Sequence, residues 1–148
     1  TVINVNNYIN LTPNCAKNRF SDKIDLRQYG QGMGALGLPG DTSPASRFVR
    51  AAFNKLNSSC KGDEEESVSQ FFHILDSVAM VKGATVTAEG KNDITSYSCC
   101  INVSKGIYYY KTYTNNQITA VRMTDKEKNK KELSVYDLVE EQQIRYEN

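Results

Sequence analysis

Near Ile94 the apolar residues of this chain change their period. Upstream, Val68, Phe71, Phe72, Leu75, Val78 and Ala79 recur at the i, i+3, i+4, i+7 spacing of one helix face; downstream, Tyr97, Cys99, Ile101 and Val103 recur at every second position, the repeat of a strand. A doubly wound parallel sheet needs helices and strands to alternate along the chain. Helices first and strands afterwards predict instead an α+β arrangement: two main helices followed by an antiparallel strand meander.

The helix ends can be read from capping chemistry. Asp41-Thr42-Ser43-Pro44 offers a carboxylate or hydroxyl cap and then a proline at the first helical position, where its missing N–H is no loss. Phe48, Val49, Ala52, Phe53 and Leu56 supply an apolar stripe from there to about Asn57. A second helix is predicted from near Asp63, with Glu66 three residues on as a capping-box partner and its apolar face continuing to Ala79. Lys82-Gly83 would close it with a cationic turn and a glycine cap. After the first strand, Ser104-Lys105-Gly106 turns into IYYYKTY and Asn115-Asn116 turns into QITAVRM; the polar run TDKEKNKKE then leads to a last predicted strand around LSVYDLV. Ahead of all this, Val2, Val5, Tyr8 and Ile9 are spaced for a short helix, and Pro13 to Asp25 reads as irregular, an unusually long aperiodic arm for a compact domain.

Composition narrows the function classes. With 148 residues, 39% hydrophobic and 24% charged, the chain has the make-up of one soluble domain. Eighteen basic against seventeen acidic residues give no electrostatic reason to expect nucleic acid or an anionic membrane as partner. No apolar run has the length of a membrane span, and TVINVNNYIN has neither the basic nor the apolar region of an export signal, so a cytoplasmic location is expected. Cys15, Cys60, Cys99 and Cys100 lack metal-ligand spacing, and adjacent residues on a strand point to opposite faces; free thiols are expected, with no metal and no cofactor. The sequons at Asn10, Asn57 and Asn102 carry no weight without a secretory route.

GQGMGALGLPGD contains a literal G-x-G-x-x-G at Gly32, Gly34 and Gly37. A phosphate cradle needs a buried strand before the first glycine and a helix opening at the third, whereas DLRQYGQ precedes it and Pro39-Gly40 blocks a helix until Ser43. Positive φ and close backbone packing are the expected roles of these glycines. Thr1 could be a nucleophile activated by its own amine, but it runs into a mixed polar and apolar segment, not a buried strand, and that reading is set aside. His73 falls opposite the apolar face of the second helix and is expected in solvent. Cys99 with Cys100, and Tyr108 to Tyr110, are expected to pack rather than react or stack on bases. Arg47 lies roughly opposite the Phe48/Ala52/Leu56 stripe, as a solvated arginine would. Yet it sits in the first helical turn directly after a glycine-rich loop, where it could project into a cleft.

Three ordered segments go further: YGQGMGALGLPGDTSPASRFVRAAF, ESVSQFFHILDSVAMVKG and ITSYSCCINVSKGIYYYKTYTNNQITAV. Together they resemble the C-terminal portion of the choloylglycine hydrolase family, which includes conjugated bile salt hydrolases and penicillin V acylases. The resemblance implies a four-layer αββα sandwich of the N-terminal-nucleophile type, in which an N-terminal cysteine attacks a linear amide and its own α-amine accepts the thiol proton. Residues 1–148 would then be the C-terminal portion of a single such domain, with the nucleophile in an N-terminal half outside this sequence. Of the family's catalytic set, the resemblance carries over one residue, Arg47 within Ser46-Arg47-Phe48. It implies conjugated bile acids as substrate, or penicillin V as the alternative, and a homo-oligomer, a tetramer, in which residues 7–40 form a projecting arm. It also implies that this portion alone is inactive and leaves sheet edges and apolar helix faces uncovered. A catalytically silent polypeptide acting only in assembly is the reading from another class.

Overall fold

The structure is a computed structural model that describes residues 2–125 and 129–148, with side chains from Asn4 onward within them. It divides into two compact units, one running to Ser59 and the other from Cys60 to Asn148.

The first unit begins with the expected short helix, α1 (Val2–Asn6), continued by turns in which Tyr8 N donates to Val5 O at 2.9 Å and Leu11 N to Tyr8 O at 3.0 Å. Residues 13–30 form neither helix nor strand, and side chains hold this backbone instead. Asn18 Nδ2 donates to the carbonyls of Ser21 (2.9 Å) and Ile24 (2.6 Å), while Gln28 Oε1 accepts from Ala16 N at 3.0 Å. The glycine segment contributes a single 3-10 turn, Met33–Ala35, and then the chain enters α2 (Pro44–Asn57) through the predicted Ser43 cap with proline at its start.

The buried face of α2 differs from the apolar stripe. Ser46 and Val49 are buried, whereas Phe48 is 44% and Leu56 81% exposed. The buried face thus includes Ser46, which bonds back to Asp41, and part of the apolar stripe is left in solvent.

The second unit opens with α3 (Glu64–Asp76), capped by Asp63, whose Oδ1 accepts from Glu66 N at 3.0 Å. The helix ends earlier than its apolar periodicity predicts. Past Ser77 the bonds tighten to i−3, as in Val78 N to Leu75 O (3.0 Å) and Ala79 N to Asp76 O (3.2 Å), and Met80 exchanges its backbone groups with Thr95 rather than with the helix. Gly83, expected as the helix cap, instead supplies φ 91° to a separate turn closed by Ala84 N and Val81 O.

The predicted meander is present as β1 (Tyr97–Asn102), β2 (Ile107–Thr112) and β3 (Thr119–Arg122), antiparallel in the order β1-β2-β3. In this register Cys99 lies opposite Tyr110 and Cys100 opposite Tyr109, so the two cysteines face opposite ways. One sheet face meets α3: Lys111 binds Asp76 at 2.6 Å and stands 5.5 Å from the centre of the Phe72 ring. The other face shows Tyr97 and Ile101 to solvent, at 54% and 61% exposure. Among the described residues of this unit, Phe72, Met80, Ile107 and Tyr110 are the buried apolar ones.

The last predicted strand, around LSVYDLV, does not form. At Val139 side chains hold the backbone instead. Val139 N donates to Tyr110 Oη at 3.1 Å, and Val139 O accepts from Thr112 Oγ1 (3.3 Å) and Asn115 Nδ2 (3.4 Å). Asn115, 1% exposed, also caps its own turn by accepting from Gln117 N at 3.0 Å.

Candidate functional site

The glycine segment is built as a wall and not as a phosphate cradle. Gly32 and Gly37 have φ of 80° and 97°, conformations that side-chain-bearing residues rarely adopt. Gly34 has another reason to be glycine: a Cβ there would stand 2.2 Å from Asn14 O and 2.7 Å from Thr12 O, so this backbone lies directly on the 12–14 segment. Thr12 N donates to Gly34 O at 3.0 Å and holds the contact. No helix opens at Gly37, so the N–H array that binds a pyrophosphate is missing from this loop.

The loop ends in a cluster of polar bonds around Asp41. One carboxylate oxygen accepts from Ser43 N at 2.9 Å and the other from Ser46 Oγ at 2.5 Å. Hydrogen bonds from the Ser43 side chain, then the Ser46 hydroxyl, then the Ser43 N–H favour the charged form and hold this carboxyl down at about 2. From one turn along α2, Arg50 Nη1 donates back to the carbonyls of Pro39 (2.6 Å) and Asp41 (3.1 Å). Arg47 lies between these two anchors in sequence. Its N–H makes the opening helical bond, to Ser43 O at 2.9 Å, and its side chain is half-buried rather than solvated. Arg50 was not legible as part of this cluster, although its i+4 spacing from Ser46 on the loop side was the available signal.

A second cluster ties α3 to the β1–β2 hairpin. Glu64 accepts from Asn102 Nδ2 at 2.5 Å and Tyr109 Oη at 2.9 Å, and pairs with Lys105. The Lys105 bond first and the Tyr109 bond second lower the Glu64 carboxyl, while burial and then Glu64 itself raise the Tyr109 hydroxyl. Beside it an open groove of about 690 Å³ runs between Gly62, Val68 and Phe71 on one side and Cys100 and Ile101 on the other. Cys100 is pushed up by burial and then by Cys99, and Tyr108 is raised to about 12, chiefly by its hydrogen bond to Cys99. Burial thus disfavours a thiolate at Cys100.

The remaining candidates do not join a site. His73 is exposed in the last turn of α3, and Thr1 lies outside the described residues. The tyrosines divide between the two faces: Tyr108 and Tyr110 stand 6.1 Å apart ring to ring on one, Tyr109 lies on the other, and Tyr110 is buried. All four cysteines are unpaired, and among the described residues no three His, Cys, Asp or Glu side chains gather as a metal site would require. No helix among them is long and apolar enough to cross a membrane.

Comparison with known proteins bears on what such a loop and helix belong to. The pattern of the family described as linear amide C-N hydrolases, choloylglycine hydrolase family, matches residues 1–136. A "Bile salt hydrolase/transferase" of Lactiplantibacillus plantarum is 50% identical over 142 residues, covering 96% of this chain and 44% of the relative. Its namesake in Clostridium perfringens is 44% identical over 91% of this chain and 41% of its own length. The chain thus spans less than half the length of either. In three dimensions, a mutant conjugated bile acid hydrolase from Clostridium perfringens superposes with a TM-score of 0.85 at 42% identity, over 99% of this chain and 45% of that one. A penicillin V acylase from Agrobacterium tumefaciens, 21% identical over 62% of this chain and 29% of its own, superposes at 0.52 and shares the fold. The α+β fold with its two main helices and antiparallel meander is therefore that of an N-terminal-nucleophile hydrolase. Both in sequence and in fold, this chain belongs to the choloylglycine hydrolase family of linear amide C-N hydrolases.

Proposed function

We propose that this chain is the C-terminal portion of the catalytic domain of a cysteine amidase that deconjugates glycine- or taurine-linked bile acids. The observation that carries the reading is the 50% identity to a bile salt hydrolase/transferase over 96% of the chain. Arg47 is its contribution to the chemistry. A guanidinium beside a cysteine favours thiolate over thiol, and its planar donors can hold the groups around the nucleophile. The nucleophile belongs to the part of the domain that this chain does not span; a free α-amine there, with an ordinary pKa of about 7.7–8.0, takes the thiol proton, so no histidine is called for.

The wall of Gly32, Gly34 and Gly37 shapes the cleft that Arg47 enters. Residues 7–40 act as the oligomer arm of a homotetramer, a role supported by Ile9, Phe20 and Tyr29, which are 81%, 83% and 90% exposed on a backbone of little regular structure. The enzyme works in the cytoplasm. The penicillin V acylase likeness is one of fold and gives no ground for preferring that substrate.

Mixing this chain with a separately made N-terminal portion and measuring glycine or taurine released from conjugated bile acids tests the reading. Release by the mixture and not by either part supports it. A soluble complex that releases nothing favours a catalytically silent, assembly-only role.

A further inference from the structure

Resting on the amidase reading of Arg47, we infer that Asp41, Ser46 and Arg50 are positioning residues: together they fix the direction in which Arg47 leaves α2.

The need for such a device follows from where Arg47 stands. The first turn of a helix has N–H groups without intrahelical partners and frays readily, and arginine is a long side chain with many rotamers. An arginine launched from an unsecured first turn would sweep a wide volume. Here the turn is secured to the loop before it at two places. Ser46 Oγ donates to the Asp41 carboxylate at 2.5 Å, and Arg50 donates to the Pro39 and Asp41 carbonyls at 2.6 and 3.1 Å. Both anchors are charge-assisted, the stronger kind of hydrogen bond.

Their spacing gives them control over rotation. Residues four apart lie about 40° from each other around a helix, and successive residues about 100°, as follows from 3.6 residues per turn. Ser46 and Arg50 therefore grip the loop from one narrow face, and Arg47 leaves at a set angle to that face. Releasing either grip lets α2 turn about its axis and swings the guanidinium with it. Ser46 is 8% exposed, so little water competes for its hydroxyl. The same bonds keep the Asp41 carboxyl ionised well below neutral pH, so the grip does not weaken where an amidase with a free amine as base would work.

A simple stabilising cap would have the same bonds but would not alter the nucleophile. The two roles separate in the kinetics of the complete hydrolase carrying these 148 residues, as Asp41→Asn, Ser46→Ala and Arg47→Ala, with conjugated bile acid as substrate. For Asp41→Asn the expected result is a fall in kcat of about 10- to 100-fold, the size of effect that a misplacement of about 1 Å produces. KM should change little, and the ascending limb of the kcat/KM profile should move to higher pH as the thiol loses its cationic neighbour. Ser46→Ala should move both in the same direction and decides the matter if Asp41→Asn does not fold. Normal kcat and an unmoved limb in folded Asp41→Asn or Ser46→Ala, beside an impaired Arg47→Ala, overturn the inference and leave the amidase reading standing. An Arg47→Ala enzyme as fast as the parent, or a parent that releases nothing, overturns both.

Discussion

The two clusters of this chain are built from opposite kinds of contact. Around Asp41 the bonds from Ser43, Ser46 and Arg50 join residues no more than 11 apart, from Pro39 to Arg50, and the chain folds onto itself to make them. Around Glu64 the partners are 38 to 45 residues away on the β1–β2 hairpin, and nothing local brings them there. The first cluster sets one side chain at the end of a loop; the second fastens a helix to a sheet. A local cluster can specify a direction without a large core, and among its residues with described side chains the first unit has only Val49 as a buried apolar residue. The α3–sheet unit, with Phe72, Met80, Ile107 and Tyr110 buried, is where burial supplies the stability.

That contrast predicts where substitutions will hurt, and how much. Phe72→Ala empties a buried site under Lys111 and should cost about 3–5 kcal/mol in urea unfolding. A cost below that of a surface change would mean that the sheet unit does not depend on this core. Gly34→Ala forces a methyl against the Thr12 and Asn14 carbonyls and should cost about 1–3 kcal/mol, with hydrogen exchange quickened in the first unit and not in the second. Equal quickening in both would erase the distinction between them. Asp63→Ala removes the cap of α3 and should cost about 0.5–2 kcal/mol, felt in the second unit.

The smallest effects are those of pH. Because the folded Asp41 carboxyl lies at about 2 against an ordinary 3.8, its contribution is complete above the ordinary value and is lost as the pH falls through about 2. Carboxyl carbon NMR should give that midpoint, and a midpoint at the ordinary value would mean that the Ser43 and Ser46 bonds are not kept in solution. Glu64 has the same sign, so Lys105→Ala should raise its midpoint while leaving that of Asp41 in place.

The same division explains what could be read from the sequence. Ser43-Pro44, Asp63 with its following acids, and the turns after Asn102 and Thr112 are local signals, and the structure has elements where they predict them. The end of α3 was not legible because Thr95, 15 residues on, takes the Met80 backbone that the helix would have used. LSVYDLV has the composition of a strand, but the Tyr110, Thr112 and Asn115 side chains claim Val139, and such competition leaves no trace in periodicity. The wheel of α2 put Arg47 in solvent because it counted apolar residues, whereas the face actually buried includes Ser46, a polar residue satisfied by Asp41. Arg47 itself emerged from resemblance, since a single arginine after a glycine loop has no pattern of its own. Gly32, Gly34 and Gly37 were legible in the negative sense: their flanks ruled out a phosphate site, and their φ values and the close approach at Gly34 supply the positive reason.

The most direct test of this account is the rate of conjugated bile acid hydrolysis by the complete enzyme with Arg47→Ala. A loss of about 100-fold or more in kcat/KM, of the order seen when one charge-stabilising donor is removed from an active site, is the predicted result. A folded variant that cleaves the conjugate at the parent rate would contradict it.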